Sequence, residues 1–197
     1  MNQISFITYL ASKLNIDEER ILSIQQNCIV KEYKKDEFLL RSNEYCKHIF
    51  FVEKGLLRQY SIDSKGKEHI LHFAPESWLL ADRESTFFNQ PSKYYIQALE
   101  DTRVTMIDDV SFKKMEEDIP NFSDFNQRML HNNIRSLQNR IMMLLSENAE
   151  ERYLQFTTTY PDVLLRVPQL MVASYLGITP ESLSRVRKEL ANKNMNR

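Results

Sequence analysis

Residues 168–190 read PQLMVASYLGITPESLSRVRKEL, and their spacing is that of two helices meeting at a glycine. Ala173 precedes Gly177 by four residues, and Val172, Leu176, Ile178, Leu183 and Val186 are apolar. A small residue lets two helices cross closely, and glycine takes the left-handed conformation the turn requires. Thr179 is placed to cap the second helix, Pro180 suits its first turn, and Glu181 favours the positive end of its dipole. With Leu183, Val186 and Leu190 as the buried face, Glu181, Ser182, Arg185 and Lys188 point the other way. That outward set suits a DNA major groove. Arg donates two hydrogen bonds to guanine, Glu accepts from cytosine, and Ser and Lys hold phosphates. Gln169, at the head of the first helix, and Thr179 complete the expected DNA contacts. A plain helical hairpin would explain a solvated polar face, but not the agreement of small residue, glycine and apolar spacing.

Upstream, a long helix is expected from about Ser123 to Ser146. Leu130, Ile134, Leu137, Ile141 and Leu144 are spaced 4-3-4-3 along it, two heptads of a narrow apolar seam. A helix packed on its own sheet would also carry apolar residues. The strictness of this seam, with Arg135, Gln138, Asn139 and Arg140 around it, favours pairing with a second copy as a homodimer. A short helix over residues 111–118 comes before it, broken at Pro120, and another over 148–159 follows, ended by Tyr160-Pro161.

Between Cys28 and Asp109 the pattern is different. Short runs rich in Ile, Val, Phe and Tyr (IVKEY, EFLLR, HIFFVE, LLRQYSI, EHILHFA, WLLA, YYIQALE and RVTMID) are divided by polar turns. Strands in that number and rhythm predict a barrel or jelly-roll, with the Lys-Gly turns at Gly55 and Gly66 closing two hairpins. Ile4, Ile7, Leu10, Leu14, Ile21 and Ile24 predict helix before the first strand.

Composition narrows the function. The chain has 197 residues, 42% of them hydrophobic and 11% aromatic, with net charge −1, so it folds around a real core. From Arg166 onward, six basic residues (Arg166, Arg185, Arg187, Lys188, Lys193, Arg197) against Glu181 and Glu189 give +4, so the other 165 residues carry −5. A basic tail on an acidic body points to a polyanionic partner. Only three glycines occur, and neither GxGxxG nor GxxxxGK is present, which excludes dinucleotide-binding and P-loop enzymes. Two cysteines, Cys28 and Cys46, are too few for a disulfide framework or a four-thiolate cluster. No run reaches the roughly 18 apolar residues of a membrane span, and MNQISFITYLASKLN lacks the marks of a secretory signal. A cytoplasmic protein without membrane contact is expected.

The order of strands, long helix and helix-turn-helix resembles the cyclic-AMP receptor/Fnr family of bacterial transcription regulators. HIFFVEKGLLRQY, FAPESWL, PSKYYIQALED and VPQLMVASYLGITPESLSRVRK are similar to its branch common in Bacteroidetes, and the likeness covers about residues 5–190. It implies an α+β chain: a cyclic-nucleotide-binding-like β-roll (a double-stranded β-helix, or jelly-roll) over 1–118, a dimerisation helix over 119–147, and a helix-turn-helix DNA-binding domain over 148–197. In the family a Glu and an Arg four apart read DNA, and Glu181 and Arg185 stand there. Pro180 replaces the basic residue many relatives carry before that Glu, and the sequence leaves little room for the family's β-hairpin wing.

The sensor half departs further. Cyclic-nucleotide binders of the family use a Gly-Glu pair and an Arg-Ser or Arg-Thr pair, whereas SWLLADRES has no glycine and Ser92-Lys93 takes the second place. Trp78, Arg83, Ser92 and Lys93 are the candidate pocket residues, for an effector other than cyclic AMP. The expected function is a homodimeric transcription regulator without catalysis, cofactor or metal, reading an inverted repeat in double-stranded DNA. A small-molecule effector and RNA polymerase are further candidate partners. Two rival readings stand beside it. One is a dimeric sensor or interaction module without specific DNA binding. The other is a cupin-like metalloenzyme using His69, His72 and Glu76, disfavoured because strand residues i and i+3 face opposite sides unless a bulge intervenes.

Overall fold

The computed structural model describes residues 4–19, 21 and 28–195. Eight strands form where the eight apolar runs lie: β1 (Ile29–Tyr33), β2 (Phe38–Leu40), β3 (His48–Lys54), β4 (Leu57–Ile62), β5 (Glu68–Ala74), β6 (Leu79–Leu80), β7 (Tyr95–Ala98) and β8 (Thr102–Asp108). They build two four-stranded antiparallel sheets, ordered β1-β8-β3-β6 and β2-β7-β4-β5. Side chains alternate across each strand, so Phe50 and Val52 of β3 turn into the space between the sheets while Phe51 turns outward. Tyr33, Leu40, Phe50, Leu57, Leu80, Ile96 and Val104 fill that space, none more than 6% exposed.

One of the two lysine–glycine turns does not close a hairpin. β3 pairs with β6 and β8, and β4 with β5 and β7, so Gly55 lies where the chain crosses between sheets. Its φ is +99°, and a Cβ there would overlap the Oγ1 of Thr102, so a side chain is excluded both by conformation and by space. The other turn behaves as expected. β4 and β5 pair through a hairpin at Gly66 (φ +78°), whose backbone N–H groups at Lys65 and Lys67 donate to the carboxylate of Asp63.

Helices cover both outer faces of this sandwich. On the first sheet lie α1 (Phe6–Leu14), α3 (Asp109–Asp118) and the start of α4 (Phe122–Ser146), which bury Phe51 and Ile107 against Phe6, Leu10, Met115 and Phe122. Ile24 lies outside the described residues. A short α2 (Arg83–Phe88), capped by Asp82, connects β6 to β7. α4 stops at Glu147, and Asn148 with Glu151 forms a capping box that starts α5 (Ala149–Thr159). A 3-10 turn (Val163–Leu165) leads to α6 (Gln169–Leu176) and α7 (Pro180–Met195). These C-terminal helices cover the second sheet, where Phe73 meets the rings of Tyr160 and Tyr175, each at 5.8 Å. The C-terminal helices and the sandwich therefore share a hydrophobic cluster, including Tyr60, Ile70 and Phe73 from strands and Phe156, Val172, Leu176 and Leu183 from helices.

Candidate nucleic-acid interface

The turn between α6 and α7 is built as its residue types require. Gly177 closes α6 at φ 66°, ψ 31°, the left-handed region, and its N–H donates back to α6 carbonyls. Thr179 caps α7: its Oγ1 accepts from the N–H of Ser182 at 3.2 Å and lies 3.2 Å from that residue's hydroxyl. Val172, Ala173, Leu176, Leu183 and Val186 are buried and Leu190 is half-buried, so the apolar face points into the shared core.

The opposite face is open. Glu181, Arg185 and Lys188 are exposed along one side of α7, with Arg187 exposed nearby, and Ser182 is half-buried. Arg185 and Lys188 engage no acidic side chain among the described residues. The N–H of Glu181 itself and the Thr179 hydroxyl hold the Glu181 carboxyl below its ordinary range, so it is an anion at neutral pH. Gln169 is exposed at the first turn of α6. A cleft of about 850 Å³, between the β4–β5 hairpin and α6, reaches Thr179 and Pro180, so the first turn of α7 lies on the rim of a groove.

The basic tail is smaller than its residue count. Arg166 donates to both carboxylate oxygens of Glu76 (2.9 and 3.0 Å) and to Glu100 (2.6 Å), and Lys193 pairs with Glu150 at 2.8 Å. Arg197 lies outside the described residues. Three cations, Arg185, Arg187 and Lys188, are left exposed on α7. At Arg166, burial disfavours the charge, but Glu100 and Glu76 more than compensate and its pKa rises.

Sequence patterns gave no sign of three further groups that hold this unit in place. Ser174 accepts from the N–H of Ile70 at 3.1 Å and donates to the carbonyl of Glu68 at 2.8 Å, joining α6 to the edge strand β5. Arg152 donates to the carbonyls of Leu144 (2.9 Å), Glu147 (2.9 Å) and Leu176 (3.1 Å), so one guanidinium satisfies the ends of α4 and α6. Arg140, read from sequence as a polar flank of the seam, instead reaches β5 and α6. The seam itself is uncovered: Leu130, Ile134, Leu137, Ile141 and Leu144 are 37–56% exposed, and every residue from His131 to Asn139 is exposed.

Comparison with known proteins shows what this arrangement is similar to. Residues 30–118 match the family model described as cyclic nucleotide-binding domain. The Fumarate and nitrate reduction regulatory protein of Yersinia pestis is 25% identical over 167 residues, covering 79% of this chain and 66% of its own length. FixK2 from Bradyrhizobium japonicum superposes with a TM-score of 0.73 at 20% identity, over 85% of this chain and 86% of its own. A CRP/FNR-family transcriptional regulator from Thermus thermophilus gives 0.65 at 17% identity, over 84% and 87%. The chain is thus similar in sequence and in fold to regulators of the Crp/Fnr type. The matched region spans just under two thirds of the length of its curated relatives.

Three of the four pocket candidates, Trp78, Ser92 and Lys93, are engaged by other groups of the chain. Trp78 lies against Tyr160, 5.4 Å between rings, where the sandwich meets α5. Arg83 begins α2 on the surface. Ser92 is 2% exposed, with its hydroxyl donating to the carbonyl of Tyr94, and Lys93 pairs with Glu84 at 3.1 Å. Cys46 occupies the interior, where its N–H donates to Ser85, and burial raises its thiol pKa. Burial likewise pushes the Cys28 thiol up to about 11, so neither thiol is poised as a thiolate.

The metalloenzyme constellation is dispersed. β5 does carry a bulge, its register against β4 stepping from Ile70 to His72, yet His69 is held by Asp63 at 2.9 Å and Glu76 by Arg166. His72 lies beside Arg140. Among the described residues, no helix is long and apolar enough to cross a membrane.

Proposed function

We propose that this chain is a DNA-binding transcription regulator without enzymatic activity, working in the cytoplasm as a homodimer on an inverted-repeat operator. Residues 1–118 form its β-roll unit, 119–147 its dimerisation helix and 148–197 its DNA-reading unit. The observation that carries the reading is the free face of α7: Glu181 and Arg185 four apart and Lys188 one turn on, exposed behind a glycine turn. Gln169, Thr179 and Ser182 sit at the N-terminal ends of α6 and α7, where hydrogen bonds to phosphate are favoured.

The exposed seam of α4 supports the assembly. A soluble helix does not keep five apolar residues in register facing water, and pairing with a second copy covers both seams at once. RNA polymerase is a candidate partner of the bound dimer. A small-molecule effector, if the β-roll takes one, is not cyclic AMP.

Selection of bound sequences from random duplex DNA is the direct test. The expected result is an inverted repeat with half-sites about 34–36 Å apart, bound with an affinity that falls steeply as salt rises. Enrichment of no sequence, with no salt-dependent binding to duplex DNA, would leave the interaction-module reading in its place.

A further inference from the structure

The long helix α4 touches the C-terminal unit and the β-roll together at Arg140. From His131 to Asn139 every α4 residue is exposed; Arg140 is the first after them to be partly covered. Its guanidinium donates to the carbonyls of Leu71, of Ile70 at 2.9 Å and of Tyr175 at 3.1 Å, and it lies 3.8 Å over the centre of the Tyr175 ring. These acceptors are available for a structural reason. The β4–β5 register skips Leu71, which disturbs the ladder, and Tyr175 is in the last turn of α6, where carbonyls lack helical partners. One planar group thus ties together the seam helix, the bulged edge strand and the first helix of the helix-turn-helix.

We infer that Arg140 is a specificity-determining positioning residue: it fixes the direction of α7 relative to the paired α4 helices, and so sets the half-site spacing the dimer accepts. The inference rests on the DNA-reading proposal above. α7 has 16 residues. At 1.5 Å per residue it is about 24 Å long, so a tilt of roughly 10° at its root moves its far end by about 4 Å. That exceeds the rise of about 3.4 Å per base pair. A small loosening at Arg140 is therefore read out as a change of register on DNA. Arg152, from α5, holds α6 beside the end of α4, and Ser174 holds it to β5; Arg140 joins α6 to α4 and β5 through one group. The fork geometry is needed as well, because a lysine's single ammonium cannot lie flat over Tyr175 while reaching three carbonyls.

The test uses the full chain and a duplex library carrying two copies of the selected half-site in inverted orientation, separated by spacers of every length from none to one helical turn. The wild type should prefer one spacer by about tenfold or more over its neighbours. Arg140→Ala, shown by sedimentation to be dimeric, should bind an isolated half-site within about twofold of wild type yet discriminate among adjacent spacers less than about threefold. Arg140→Lys, which keeps the charge and loses the fork, decides the matter should the alanine variant fail to fold, and is expected to broaden the spacer profile in the same direction. A wild-type spacer profile in a dimeric variant of either kind would overturn the inference and leave the DNA-reading proposal standing. A wild-type protein that selects no half-site would overturn both.

Discussion

Replacing Leu137 and Ile141 by Asp should convert the protein from dimer to monomer. These two side chains are 42% and 56% exposed in the single chain, so together they offer about one whole side chain of apolar surface for a partner to cover. Covering a whole Leu or Ile side chain contributes roughly 1.5–3 kcal/mol, and both protomers lose theirs, so the pair is weakened by about 3–6 kcal/mol. At 1.4 kcal/mol per tenfold, that raises the dissociation constant by about 10²–10⁴. Four carboxylates facing one another across the seam add desolvation and repulsion to this figure. Neither position is buried in the monomer, so the fold of each chain should survive, and circular dichroism should show the wild-type helix content. Gln138→Glu, on the exposed helix but off the seam, is the control and should leave assembly unchanged. Sedimentation velocity at micromolar concentration reads the result. A wild type that sediments as a monomer, or a double variant that sediments with the wild type, refutes the pairing argument.

Arg185→Ala should abolish preference at one base pair per half-site, about 1–3 kcal/mol of discrimination, whereas Lys188→Ala should weaken all sequences alike and reduce the salt slope; unchanged base preference in Arg185→Ala would show that another residue reads that base. Cyclic AMP should give no saturable heat in calorimetry, because the interior between the sheets is packed with apolar side chains, Ser92 is bonded internally and Lys93 is held by Glu84. Saturable low-micromolar binding, lost in Lys93→Ala, would overturn that expectation. Burial, reinforced by the charge of Arg140, pushes His72 down to about 4, so it is neutral in the folded chain when the unfolded histidine is already protonating. Stability should therefore fall by up to about 1.4 kcal/mol per pH unit as pH drops from about 6.5 towards 4, and this part of the decline should vanish in His72→Gln. Parallel denaturation profiles for the two proteins across that range would contradict it.

The sequence by itself determined the elements, since their signals are local. Eight short apolar runs became eight strands, the 4-3-4-3 seam lay on one long helix, and Gly177 took the left-handed turn with Thr179 as the cap behind it. Each of these rests on alternation, helical period or a backbone angle that neighbouring residues settle among themselves. Tertiary structure decided what those elements meet. The placement of Gly55 at a sheet-to-sheet crossing depends on β3 pairing with β8 rather than with its neighbour β4. Arg166 looked like part of a basic tail until Glu76 and Glu100 neutralised it, and the ring of Trp78 meets that of Tyr160, a contact no local pattern announces. Arg140 looked like the rim of a dimer seam, yet its acceptors come from a strand bulge and a helix end elsewhere in the chain. A charge carries no periodicity that names its partner, and Arg166 and Glu76 are 90 residues apart. Only the packing of the C-terminal helices onto β5 brings such groups within hydrogen-bonding reach.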